Sequence, residues 1–172
     1  MSLQTLVVTV IGPDRPGFVG SLSRIIAEHE GNWTRSQMAH LAGQFAGILS
    51  ISIAPDQVES LRSALEQSGG EGFHVSVVTD RVVTAQKSAN RCRIEVVGQD
   101  RRGIVREISE LLATHEINVE ELTTAVESAP WSGDMLFKAS ATVQLPATTS
   151  QEDLRDLLEQ LADDLMVELH DA

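Results

Sequence analysis

The residues best suited to chemistry form a short run that occurs twice. Gly12-Pro13-Asp14-Arg15-Pro16-Gly17-Phe18-Val19 aligns with Gly98-Gln99-Asp100-Arg101-Arg102-Gly103-Ile104-Val105, 86 positions further on. Gly12 and Gly98 can adopt backbone angles closed to other residues. Pro16 suits a first helical turn, where its missing N–H would go unpaired anyway. Asp14 and Asp100 can accept hydrogen bonds from the free N–H groups of that turn. Gly17 and Gly103 keep side chains off it, so another group can approach the backbone. The remaining donors, with the helix dipole, make a site for an anion such as a carboxylate. The guanidinium groups of Arg15 and Arg101 can pair with the adjacent Asp or fork onto that carboxylate. Asn32 and Asn118 follow where each helix hands over to the next strand. An Asn amide supplies donors and an acceptor and can grip the zwitterionic end of an amino acid. The plainer reading is that Asp, Gly and Asn here only punctuate strand, helix and turn.

These residues need a frame, and the repeat supplies it. The offset of 86 runs without a gap from Gly12–Asn32 to Gly98–Asn118, and ten of those 21 positions are identical. Phe18, Leu22, Ile25 and Ile26 make one apolar helical face, as do Ile104, Ile108, Leu111 and Leu112. Strands precede these helices at Leu6–Ile11 and Arg93–Val97. Leu49, Ile51 and Ile53 alternate with Ser50 and Ser52, and Phe137 to Val143 alternate likewise, so each sheet is covered on one face only. Second helices follow at Val58, Leu61, Leu65 and at Leu154, Leu157, Leu158, Leu161. Last strands carry Phe73, Val75, Val77 and Leu165, Val167, Leu169. The fold class is therefore α+β: two ferredoxin-like βαββαβ modules in tandem, antiparallel sheets with helices on one face, and strand one beside strand three. Pro55 matches Pro146 at an offset of 91, which puts five extra residues in the second copy, around Ser128–Asp134. The expected boundaries are a first domain over 1–80, a polar linker over 81–91 and a second domain over 92–172.

Composition narrows the function. The 172 residues hold 13 Lys and Arg against 25 Asp and Glu, a net charge of -12. A field of that sign repels a polyanion, so no direct nucleic-acid binding is expected. No apolar run approaches the roughly 20 residues of a membrane span. Cys92 is alone, which excludes an intrachain disulfide and suits a cytoplasmic setting. No nucleophile–base pair, zinc spacing, Walker phosphate loop or Rossmann pattern is visible, so neither an enzyme, a cofactor nor a metal is expected. His29 and His115 suit helix C-termini. His40, His74 and His170 show no metal spacing. Trp131 is the best candidate for a partner contact.

The run Asp14-Arg15-Pro16-Gly17-Phe18-Val19, the Leu/Ile-rich helix and Gly31-Asn32 resemble the ACT domain, twice over nearly the whole chain. A tandem pair of this length resembles the glycine cleavage system transcriptional repressor family. The stretch Ser128-Ala129-Pro130-Trp131-Ser132-Gly133 before Leu136-Phe137 is similar to a loop of that family. The resemblance implies a ligand site at an interface between ACT modules. It would comprise Gly12, Asp14, Arg15, Pro16, Gly17, Phe18 and Asn32 in one copy, and Gly98, Asp100, Arg101, Gly103, Ile104 and Asn118 in the other. It implies a small amino acid of the glycine or serine class as ligand, a homodimer, and control exerted through a protein partner such as a transcriptional activator. A ligand-free interaction module and a stand-alone regulator of a metabolic enzyme are the alternatives. Arg102 stands in place of the motif's Pro, Ile117 where the first copy has Gly31, and Trp33 where a smaller residue is usual. The two sites are accordingly expected to differ.

Overall fold

The computed structural model describes residues 2–68, 72–79, 90–129, 133–161 and 165–171. The chain divides into two compact units, Met1–Ala85 and Gln86–Ala172. In the first, β1 (Gln4–Pro13), α1 (Phe18–Glu28), β2 (Asn32–Leu41), β3 (Gln44–Ile53), α2 (Val58–Ser68) and β4 (His74–Thr79) follow in order. The second repeats this with β5 (Asn90–Gln99), α3 (Ile104–Thr114), β6 (Asn118–Ser128), β7 (Met135–Leu145), α4 (Gln151–Glu159) and β8 (Met166–Asp171). The sheets run β2-β3-β1-β4 and β6-β7-β5-β8, all pairs antiparallel, so strand one lies beside strand three in each. Residues 81–89 of the expected linker lie outside the described residues. Asn90 and Arg91, read as its end, already pair in β5 with Leu145 and Gln144.

Each module has its own core. Leu6, Val8, Leu49, Ile51 and Ile53 from the sheet meet Leu22 and Ile26 of α1 and Leu61 and Leu65 of α2. Ile94, Val96 and Val143 meet Leu112, Leu154 and Leu158 in the same way. Each such side chain contributes about 1.5–3 kcal/mol by leaving water. Among the described residues no polar or charged side chain is buried. The period-two pattern thus selected the covered face correctly in both sheets.

The hairpin insertion is longer than the matching prolines suggest. Gln4 pairs with Ile53 and Asn90 with Leu145, so β1 and β5 differ by 86 while β3 and β7 differ by 92. Six residues are added at the β6–β7 turn, and one is lost after β7, where Pro146 directly follows Leu145 but Ala54 separates Ile53 from Pro55. Pro130–Ser132, including Trp131, lie outside the described residues.

Helices α1 and α3 end alike. His29 and His115 are the C-caps, and the His29 Nδ1 lies 2.8 Å from the carbonyl oxygen of Ile25. The next residues, Glu30 (φ 57) and Glu116 (φ 56), are left-handed. The N–H groups of Gly31 and Ile117 then donate back to Ile26 and Leu112, both at 2.9 Å. This closes the last turn as a Schellman motif with glutamate in the position glycine usually holds.

Candidate ligand-binding loops

The left-handed angle in each β–α loop falls on the second glycine. Gly17 has φ 89 and ψ -4, and Gly103 has φ 93 and ψ -2. Phe18 N–H donates to the Arg15 carbonyl and Ile104 N–H to that of Arg101, each at 3.4 Å. Arg15-Pro16-Gly17-Phe18 therefore has the form of a type II turn, with Pro before a glycine that needs positive φ. Pro16 stiffens this turn ahead of the helix; it is not in the first helical turn. Gly12 is an ordinary strand residue opposite Phe45, and Gly98 is opposite Phe137. Gly12 is needed for space: a Cβ there would lie 2.5 Å from the Phe73 ring. That ring stacks on Phe18 at 3.7 Å between centroids, and Phe18 meets Phe45 edge-on at 5.9 Å.

Neither Asp caps its helix as expected. The N-caps are the glycines, without a side-chain cap. The loop is tied instead to the neighbouring hairpin, with Asp14 N–H donating to Gly43 O at 3.1 Å and Asp100 N–H to Met135 O at 2.9 Å. The Asp14 carboxylate faces His40 of β2, Oδ2 to Nε2 3.8 Å. Ser21 and Glu107 are the first residues to close the helical ladder, onto Gly17 and Gly103 at 2.9 and 3.0 Å. The N–H groups of Val19 and Gly20, and of Val105 and Arg106, are left pointing out of the helix ends.

The two arginines part company. Arg15 is exposed and makes no ion pair among the described residues. Arg101 is half-buried and holds Glu107, Nη2 to Oε2 2.6 Å. This hydrogen bond, with further attraction from Arg101 and Arg106, keeps the Glu107 carboxyl below the usual carboxylate range. The position matching Glu107 in the first copy is Ser21, whose hydroxyl donates to Gly17 O at 3.1 Å. Ile104 is buried in the second core, so only its backbone faces the loop, whereas Phe18 is half-buried.

Asn32 and Asn118 lie elsewhere. Asn32 opposite Ser52 and Ser52 opposite Thr5 place it eight strand residues from Pro13. At about 3.3 Å per residue this is roughly 26 Å. One amino acid cannot touch both within a module, and Asn118, opposite Gln144, repeats the arrangement. His40 is the residue at the first loop that sequence reading missed. Its signal was indirect: a hairpin tip must lie beside the end of β1 once strand three pairs with strand one.

Away from the loops, the uncovered sheet faces differ. The first carries Ile11, Ile48 and Val78, all about half-exposed, and Ile11 and Ile48 line a shallow apolar concavity of about 710 Å³. None of the charged loop residues lines this hollow. The second face is laced with charge, Arg93 to Glu95 at 3.4 Å and Lys138 to Glu127 at 2.6 Å. There Glu95, Glu168 and His170 bring their polar atoms within 4.8 Å of one another. Arg93 stands beside Glu95 at 3.4 Å and offsets part of this charge, and His170 Nε2 lies 3.8 Å from Glu168. Glu168 and His170, two apart on a strand, share a face by period, but Glu95 arrives from another strand. No helix among the described residues is long and apolar enough to cross a membrane. Burial pushes the Cys92 thiol up, helped by the charge of Asp171.

Two βαββαβ modules with a glycine turn before each first helix define a class, and the ACT-domain model matches residues 4–77, the first of the two modules. Over nearly its full length the chain is similar to the glycine cleavage system transcriptional repressor of Escherichia coli, 22% identical over 168 residues, covering 93% of this chain and 85% of that protein. A UPF0237 protein of Methanopyrus kandleri is 37% identical over 82 residues, 46% of this chain and 91% of the relative. Among solved structures, an unknown protein from Galdieria sulphuraria superposes with a TM-score of 0.86 at 29% identity, covering 99% of both chains.

Proposed function

We propose that this protein is an amino-acid-responsive regulator that takes a small amino acid, of the glycine or serine class, at its β–α loop and thereby changes its affinity for a protein partner in transcriptional control of amino-acid metabolism. The observation that carries this reading is the first loop. A left-handed glycine bares the backbone, the Val19 and Gly20 N–H groups point outward, and Arg15, exposed in the same turn, makes no ion pair with another described residue. Together they suit a carboxylate. Because Asn32 lies at the other end of its module, the ammonium end of the ligand would be met by an Asn from an ACT module packed against this one. The similarity to the E. coli repressor supports the regulatory setting, and the net charge of -12 favours a protein target over a nucleic acid. Such a ligand must bind two states unequally to have any effect.

A thermal-shift screen of the intact protein against the twenty amino acids tests this. A ligand of the folded state adds about 2.7 kcal/mol at a hundredfold excess over Kd. A rise in Tm with glycine, serine or a close relative is the expected result. No shift with any amino acid would refute the reading and favour a ligand-free interaction module.

A further inference from the structure

The two copies of the loop are built on the same turn, yet one of them already contains a carboxylate. In the second module the Glu107 side chain folds back over the turn, with Oε2 2.6 Å from Arg101 and Oε1 3.8 Å from the point where a Cβ on Gly103 would stand. The carboxylate thus lies between the guanidinium and the bare face of the left-handed glycine. In the first module that face is open: no atom of the described residues stands within 4 Å of the corresponding point on Gly17. Ser21, in the position of Glu107, is too short to cross the turn and is engaged with the Gly17 carbonyl. The turn angles of the two glycines agree within 4° in φ and 2° in ψ, from 89 and -4 against 93 and -2.

We infer that Glu107 is an internal substitute for the ligand's carboxylate, so that the second loop is closed by its own helix and each chain takes a single carboxylate ligand, at Arg15 and Gly17 of the first loop. The inference rests on the amino-acid-binding reading and adds which copy binds and what decides it. One residue sets the difference: serine at the fourth helical position leaves the loop open, and glutamate fills it.

Exchanging the two residues tests this on the intact chain. Titration calorimetry with glycine and with L-serine is expected to give one site per chain for the wild type. Ser21→Glu should weaken binding about ten- to a hundredfold, as loss of a charge-assisted contact does. Glu107→Ser should raise the stoichiometry to two. Two sites in the wild type, or undiminished binding in Ser21→Glu, would overturn the inference and leave amino-acid binding standing. Absence of binding to every amino acid in the wild type would overturn the underlying reading instead. A ligand-free measurement covers that case. By NMR titration, the carboxyl introduced in Ser21→Glu should titrate below the ordinary glutamate range, as Glu107 does, and should return to it when Arg15→Gln is added. An ordinary value in the single variant would show that the first loop does not receive a carboxylate. Both positions are on helix surfaces, and circular dichroism confirms that the variants fold.

Discussion

Gly17 and Gly20 are three residues apart and should respond to alanine in opposite directions. Neither has a heavy atom within 4 Å of the position an added Cβ would take, so sterics with neighbours contribute nothing at either. Gly17 has φ 89, a left-handed angle that costs an ordinary residue about 1–2 kcal/mol. Gly20 sits inside α1, where alanine is favoured over glycine by about 1 kcal/mol. Gly17→Ala should therefore destabilise the first module and Gly20→Ala should stabilise it, a separation of about 2–3 kcal/mol. At about 4–8 °C per kcal/mol for a domain of this size, the two Tm values should lie roughly 8–24 °C apart. Differential scanning calorimetry at fixed concentration measures this. Gly17→Asn is the control, since asparagine tolerates the left-handed region and should lose less. If Gly17→Ala proved neutral, or if both variants moved the same way, the claim that a left-handed turn shapes the loop would be wrong.

Three further outcomes are expected. Leu154→Ala, at a side chain 0% exposed, should cost about 2–5 kcal/mol in urea unfolding, whereas Leu122→Ala, at 51% exposure, should stay within about 0.5 kcal/mol. Ser150→Ala removes the capping box of α4 and should cost about 1 kcal/mol at neutral pH. The Ser150 hydroxyl and N–H hold the Asp153 carboxyl below its ordinary range. Its contribution is thus present above the unfolded-state pKa and lost as pH falls through the lower folded value. The gap between wild type and variant should narrow below about pH 4, which Tm against pH will show. Cys92 is fully buried with its thiol pushed up, so a disulfide reagent should leave it untouched in the native protein and titrate it in denaturant.

The fold was legible in the sequence because both of its signals are local and doubled. The 3.6-residue face of Leu22, Ile25 and Ile26 and the alternation of Leu49, Ile51 and Ile53 each recur one module later, and two copies of a pattern cannot both be chance. The loop was legible only as a place. Which glycine turns left-handed depends on how far β1 extends, and pairing carried that strand to Pro13, past the point where its apolar run ended. The partner of Arg101 was misread because Asp100 is its neighbour in sequence, while Glu107 is brought beside it by the glycine turn and the first turn of α3. Asn32 was grouped with the loop because 14 residues separate it from Phe18 in sequence; a helix between them carries it to the opposite end of the sheet. The sixth inserted residue escaped notice because a deletion after β7 masked it.

The central position of β1 bears on how the protein is made. Its two partners, β3 and β4, come later in the chain, so the first sheet cannot close until Thr79, opposite Leu6, has been synthesised. At that moment it is complete, for every strand it needs has emerged. The sheet of the second module waits for β8, which ends at Asp171, 92 residues after Thr79, or about 5–18 s of further synthesis at 5–20 residues per second. A domain of this kind folds well within that interval. This matters for a tandem repeat with ten identities in 21 positions, because such copies are prone to exchanging equivalent strands. The order of emergence removes the opportunity: β5 appears when β3 and β4 already have β1 between them, and the only free partners left to it are its own.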